Sequence, residues 1–243
     1  MLKPAEKSTV QNFSLKSLVT FKRLAGSFRQ LGLRAGLLYI MQYLLRPLNP
    51  VVALFVYELV EQPVAAAAGL PARHQALVRW SEVGPDSPEV AQMPPAHAVK
   101  QMRFAQGARC IAVYRKSDFI GYVWFCFRQY EEDEVRCVYL LDRPTNSAFD
   151  FDFYIFPEFR LGRAFGTMWD AGNEFLRANG VTNTYSRISR FNLASRQAHA
   201  RLGARVVGRA LFFRVGPIEL SWSGLSSFPF FNLTVADSVQ LHL

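Results

Sequence analysis

The pattern that most constrains this chain lies at residues 149–215, where the hydrophobic period switches between two and 3.6 from one segment to the next. Residues 149–156 alternate with large apolar side chains and stop at Pro157. Residues 163–178 then place Phe165, Met168, Trp169, Phe175 and Leu176 along one helical face, and Asn179-Gly180 ends the run as a helix stop. A strand at 182–188, a helix at 193–202 and a strand at 205–215 follow. The pattern predicts an α/β fold with a mixed sheet.

The upstream pattern supplies more strands. Residues 109–114 and 119–130 are rich in β-branched and aromatic residues, and Lys116-Ser117-Asp118 between them predicts a hairpin. Residues 77–80 and 135–141 read as strands, 96–106 as a helix ended by Gly107, and 51–57 as a short strand. Ala65–Ala68 with Gly69 reads as a linker. The expected organisation is a helical extension over 1–70, a folded domain over 75–215, and an apolar, irregular tail over 216–243.

The net charge of +9 is concentrated at the N-terminus, where residues 1–50 hold Lys3, Lys7, Lys16, Lys22, Arg23, Arg29, Arg34 and Arg46 against Glu6 alone. Leu15, Leu18, Phe21, Leu24, Phe28 and Leu31 recur at helical spacing among these cations, and 33–45 continues as a more apolar run. Residues 12–48 therefore read as one or two basic amphipathic helices. They suit an anionic membrane surface, or packing on their own domain or on a second subunit in a homodimer. No nucleic-acid module accompanies the charge, so nucleic acid is not the expected partner. No run reaches the roughly 18 apolar residues of a spanning helix. Cys110, Cys126 and Cys137 lack metal-ligand spacing and sit in apolar strands, so they read as buried, reduced thiols of a cytoplasmic protein, with no metal site.

The chemistry concentrates after the strand at 149–156. The loop from Pro157 to Thr167 carries Gly162, Ala164 and Gly166, whose small side chains let backbone N–H groups approach an anion. A helix N-terminus, Arg160 and Arg163 add positive charge, a combination suited to a pyrophosphate. Asp150, Asp152 and Tyr154 alternate onto one face of the strand before it, and Asp152 is a candidate general base. The run Glu131-Glu132-Asp133-Glu134 reads as a solvated hairpin turn.

Pro157-Glu158-Phe159-Arg160 with Gly162, Ala164 and Gly166 resembles the coenzyme A pyrophosphate loop of the GNAT acyltransferase superfamily, with one residue more than the usual spacing. Asn192 followed by Ser195, His199, Leu202 and Gly203 resembles that family's asparagine–helix–glycine segment, and its spacing matches. The resemblance implies a GNAT fold, with a mixed, mostly antiparallel sheet flanked by helices. It further implies acetyl-CoA or another acyl-CoA as donor, held by the backbone at Tyr154 and Ile155 and by Arg160, Gly162, Arg163, Ala164, Gly166, Thr167 and Asn192. His199 occupies the position where the family often places a tyrosine that protonates the leaving thiolate. An imidazole can do the same work. The expected reaction is direct transfer of an acetyl or longer acyl group to an amine or hydroxyl, on a small molecule or a glycan- or lipid-linked acceptor at the inner membrane face. A Fem-type transferase using charged tRNA and a non-catalytic scaffold of the same fold are the alternatives.

Overall fold

Apolar runs with period two become strands because each then buries one row of side chains on a sheet face. The computed structural model describes residues 32–49, 51–226, 229–234 and 237–243. The amphipathic pattern over 12–31 lies outside the described residues. Helix α1 (Leu33–Leu45) turns through Arg46–Leu48 into strand β1 (Val52–Pro63). A short helix α2 (Ala72–Gln75), β2 (Val78–Val83), α3 (Pro88–Gln92) and α4 (His97–Ala105) follow. Next come β3 (Arg109–Arg115), β4 (Asp118–Cys126), β5 (Gln129–Glu131), β6 (Cys137–Leu140) and β7 (Ser147–Ile155). The chain closes with α5 (Ala164–Ala178), β8 (Asn183–Ser189), α6 (Leu193–Arg201), β9 (Arg205–Val215), β10 (Ile218–Ser223), β11 (Phe230–Asn232) and β12 (Val239–His242).

Nine strands form one sheet in the order β11-β10-β9-β1-β8-β7-β4-β3-β2, and β12-β6-β5 form a second, smaller one. Within the large sheet only β7 and β8 pair in parallel. The architecture is therefore α/β with a mixed, mostly antiparallel sheet flanked by helices, as the sequence pattern predicts.

Two differences from the sequence expectation stand out. The strand expected at 51–57 runs on to Pro63, 12 residues in all, and sits inside the sheet, hydrogen-bonded to β8 on one side and β9 on the other. It belongs to the stretch assigned to the N-terminal extension. The 216–243 stretch, expected to be irregular, supplies β10 and β11 to the large sheet and β12 to the small one.

Each face of the large sheet has its own core. On the helix face, Met168, Ala171, Phe175 and Leu176 of α5 pack on Ile111, Val113, Val123 and Phe125. On the other face the small sheet brings Tyr130, Tyr139 and Leu241 onto Tyr122, Trp124, Phe149 and Phe151. Trp124, Tyr130, Tyr139 and Phe149 are fully buried. Large aromatic residues of this kind each remove roughly 150–250 Å² from water, so truncating one to alanine costs about 3–5 kcal/mol. All three cysteines are buried and free. Among the described residues, no helix is long and apolar enough to cross a membrane.

Candidate functional site

Strands β7 and β8 pair only from Ser147–Asn183 to Phe149–Tyr185. Beyond that point β7 stays with β4 and β8 stays with β1, so the two strands diverge into a wedge at their C-terminal ends. Unpaired edges at the C-terminal ends of parallel strands are where open α/β sheets admit ligands. One strand edge of the wedge has an identifiable donor. Phe156 gives its N–H to Ile120 O across β4, so the N–H of Ile155, one residue back, points the other way into the wedge. By the same alternation Tyr154 turns its backbone towards β4. Of the two residues expected to hold a thioester carbonyl, Ile155 alone has the geometry for it.

The chain leaves β7 through the turn Pro157–Phe159 and enters α5 at Ala164. Gly162 has φ +76° and open space where a side chain would stand. No side chain caps α5, so its first-turn N–H groups are left for solvent or a ligand. Arg160 folds back, its Nε donating to Ile155 O at 2.9 Å and its guanidinium lying over the Tyr154 ring. Arg163 is exposed and meets the His74 ring at 2.9 Å. These contacts are at the surface and easily exchanged, and the loop's charge and free donors fit a pyrophosphate. The remaining loop positions also pack or bond within the fold. Gly166 faces Leu70, whose Cδ2 would lie 3.5 Å from an added Cβ. Ala164 and Thr167 are buried, with Thr167 N bonded to Arg163 O. Asn192 caps α6, its Oδ1 accepting from Ser195 N at 3.1 Å.

His199 is held within the fold by polar and aromatic partners. It is buried on α6, with Nδ1 2.9 Å from Gln62 Oε1 and the edges of Phe165 and Trp169 against its ring. Burial lowers its pKa to about 4, so the ring is neutral at physiological pH. A neutral buried imidazole is a poor acid, and the side chain instead ties α6 to β1 and α5.

The two aspartates expected on one face of β7 are on opposite faces. The β4–β7 register slips between Tyr122 and Trp124, and Asp152 adopts φ +45°, the mark of a bulge that adds one residue and reverses the alternation. Asp150 is buried beside Ser186, whose Oγ donates to Oδ1 at 3.2 Å, and among the described residues no cation pairs with it. Burial raises its pKa to about 7. Between about pH 4 and 7 the folded chain then holds a proton that the unfolded chain has lost, so stability falls as pH rises through that window. Urea midpoints at pH 5 and pH 8 should show this slope. Asp150→Asn should remove about 1 kcal/mol per pH unit of it, and an unchanged slope would rule Asp150 out as its source.

Asp152 turns to the other face, into a charged cavity of about 470 Å³. Its Oδ2 pairs with Arg103 of α4 and accepts from Tyr122 OH at 3.3 Å, and Tyr122 stacks on Tyr154 at 5.4 Å. Arg103 also donates from Nε to Asp133 at 3.0 Å. Across the cavity Arg187 of β8 grips Glu132 and Glu134, each at 2.7 Å from its Nη2, with Tyr57 beneath its guanidinium. Burial pushes the Glu132 carboxyl up to about 7 even with Arg187 pulling it down. For Arg187, burial opposes its charge, but Glu132 and its neighbours hold its pKa well above the ordinary value.

The 131–134 run is a turn between β5 and β6, as expected, but only half of it is solvated, at Glu131 and Glu134. Glu132 is buried, Asp133 is nearly so, and both meet arginines. Arg103, Arg187 and this acidic run were not expected as site residues. The one sequence signal was an arginine inside the strand at 182–188, a position that needs a buried partner.

No family model matches the sequence, and no curated protein matches it. Several solved structures are similar in fold. A conserved, functionally unknown protein from Staphylococcus epidermidis aligns at 14% identity and TM-score 0.47, over 72% of this chain and 66% of that one. A GNAT-family protein from Novosphingobium aromaticivorans aligns at 15% identity and TM-score 0.44, over 67% and 66%. A tandem GNAT protein of the clavulanic acid biosynthesis pathway aligns at 14% identity and TM-score 0.46, over 74% and 68%. The matched stretch thus spans just under two thirds of the first two of these chains.

Proposed function

We propose that the protein transfers an acyl group from an acyl-CoA to an amine. The observation that carries this reading is the adjacency of two features on β7: a wedge with a free Ile155 N–H and, across the bulge, the Asp152 carboxylate in a charged cavity. The pyrophosphate would rest on the loop at Gly162 and the start of α5, beside Arg160 and Arg163, and the pantetheine arm in the wedge. The Ile155 N–H would stabilise the oxyanion that forms as the thioester carbonyl is attacked.

The acceptor would enter from the opposite face. Asp133, Glu134 and Asp152 line the cavity against Arg103 and Arg187, a balance of three acids to two bases that favours a cation. Both contacts to Asp152 fall on Oδ2, which leaves Oδ1 for the acceptor's ammonium. Asp152 takes a proton from that ammonium, the nitrogen attacks the thioester carbon, the C–N bond forms and the C–S bond breaks. The thiolate leaves and takes, through water, the second proton that the nitrogen gives up as the amide forms.

Acyl-CoA retained from the cell is identified by mass spectrometry, and thiol release is then followed with a panel of amines. Asp152→Asn keeps the size of the side chain and removes the base. It should lower kcat/KM by about 10²–10³ while acyl-CoA affinity stays within a factor of two or three. No binding of any acyl-CoA would end this reading. Full activity in the variant would remove Asp152 as base.

A further inference from the structure

Strands β10 and β11 are built inside out. In β10 the alternate residues Glu219, Ser221 and Ser223 point inward and are buried, as is Asn232 of β11. Ile218, Leu220 and Trp222 take the outward positions, Trp222 with 68% of its surface exposed. Cross-strand pairing puts Val215 beside Ile218, and Leu220 between Phe213 and Phe231, the last 59% exposed. Partners directly across a ladder share a face, so the outward side of these strands is an apolar, aromatic surface. No described element packs on Trp222 or Phe231. A half-buried antiparallel edge ordinarily shows the reverse pattern, with polar residues outward.

The surface continues past the sheet edge. Gly216 N bonds Val51 O at 2.7 Å and Val51 N bonds Leu48 O at 2.8 Å, which brings exposed Val51 and Leu48 against exposed Val215 and Ile218. From Leu48 the apolar positions run back along the outer side of α1 through Leu44, Met41, Leu37 and Leu33, all exposed. Cations border this band: Arg34 on α1, Arg46 in the turn after it and Arg209 on β9 are exposed. In the sequence, the stretch before α1 carries six more lysines and arginines against one glutamate.

We infer that this band, from the outer side of α1 to Trp222 and Phe231, is a docking surface for an anionic lipid bilayer. An exposed tryptophan and phenylalanine, aliphatic neighbours and a basic border match the headgroup boundary, where aromatic rings settle and lysine and arginine meet lipid phosphates. The same border argues against a second copy of the chain, since pairing two such faces would bring like charges together. The inference is independent of the acyl-transfer reading and is read by binding alone.

The test uses the full chain with sedimented vesicles of phosphatidylcholine alone and of phosphatidylcholine with 30% phosphatidylglycerol, a fraction of about one lipid in three chosen to give a strong anionic surface. The protein should bind the anionic vesicles and weaken as salt rises, with the exposed Trp222 emission shifting to the blue. The pair Trp222→Ser and Phe231→Ser removes only outward side chains and should lower partitioning roughly tenfold, with the circular dichroism spectrum of the wild type. Leu44→Ser with Leu48→Ser should lower it independently. Binding that is absent, indifferent to phosphatidylglycerol or unchanged in both pairs overturns the proposal. So does a wild type that sediments as a dimer and becomes monomeric when Trp222 and Phe231 are replaced.

Discussion

Replacing Arg187 by methionine should destabilise the protein by about 3–5 kcal/mol at pH 8. The guanidinium is the cation that faces Glu132, a carboxylate whose side chain has no exposed surface, and it also holds Glu134. Methionine keeps much of the packing over Tyr57 but leaves a buried carboxylate without a counter-charge. The penalty should depend on pH in a defined direction. Burial already places the Glu132 carboxyl near 7 with the arginine present, and losing that attraction raises it further. Glu132 in the variant is then protonated at pH 6, so the loss should shrink there. Adding Glu132→Gln should recover most of it, because neither charge remains to be compensated. Urea unfolding of the single and double variants at pH 6 and pH 8 decides the matter. A single variant within 1 kcal/mol of wild type, or a loss equal at both pH values, would show that the pair contributes little.

The second large effect is expected at Gly121. A Cβ there would lie 2.2 Å from Tyr154 O and 3.1 Å from Ile155 Cα, both backbone atoms of β7 at the bulge. Backbone cannot swing aside as a long side chain can, so Gly121→Ala has to push β7 off β4. The expected cost is about 3 kcal/mol or more. The displacement also moves the Ile155 N–H and Asp152 relative to one another, and a misplacement on the order of 1 Å costs about 10² in rate. Gly166→Ala serves as the stability control, since its Cβ would make an ordinary 3.5 Å contact with Leu70 and alanine favours a helix. Equal thermal midpoints for both alanine variants would contradict the close approach at the bulge.

How much of this was legible depends on what each feature writes into the sequence. The β7–α5–β8–α6–β9 order was readable because period and caps change together at every boundary, and Arg205–Val215 was placed to the residue. Strand β1 was underestimated because the second half of the run, Glu58 to Gln62, mixes acids and amides into a strand. Their partners explain them: Arg190 and Arg196 meet Glu58, and His199 meets Gln62, all from distant segments. The β10 alternation was present but inverted, so it did not look like a strand with a core face.

The candidate site was half legible. Glycines and arginines after Pro157 mark the loop locally. The bulge at Asp152 leaves no such mark, because aspartate tolerates a positive φ without any special neighbour. One extra residue there was enough to send Asp150 and Asp152 to opposite faces. Arg103, Asp133 and Arg187 come from a helix, a hairpin and a strand, and only the folded chain brings them together.

The insertion of β1 between β8 and β9 also sets the order of events during folding. Its two partners begin at Asn183 and Arg205, more than a hundred residues downstream. On a ribosome β1 therefore emerges long before either neighbour exists, and its apolar edges must wait through the synthesis of most of the chain. Pairings of such high contact order are slow, so the hairpin of β3 and β4 should form first and the sheet should close last around β1. A truncation that begins after residue 63 would leave β8 and β9 each with a bare edge. Strand β1 is thus the keystone of the sheet, set last although made before the strands it joins.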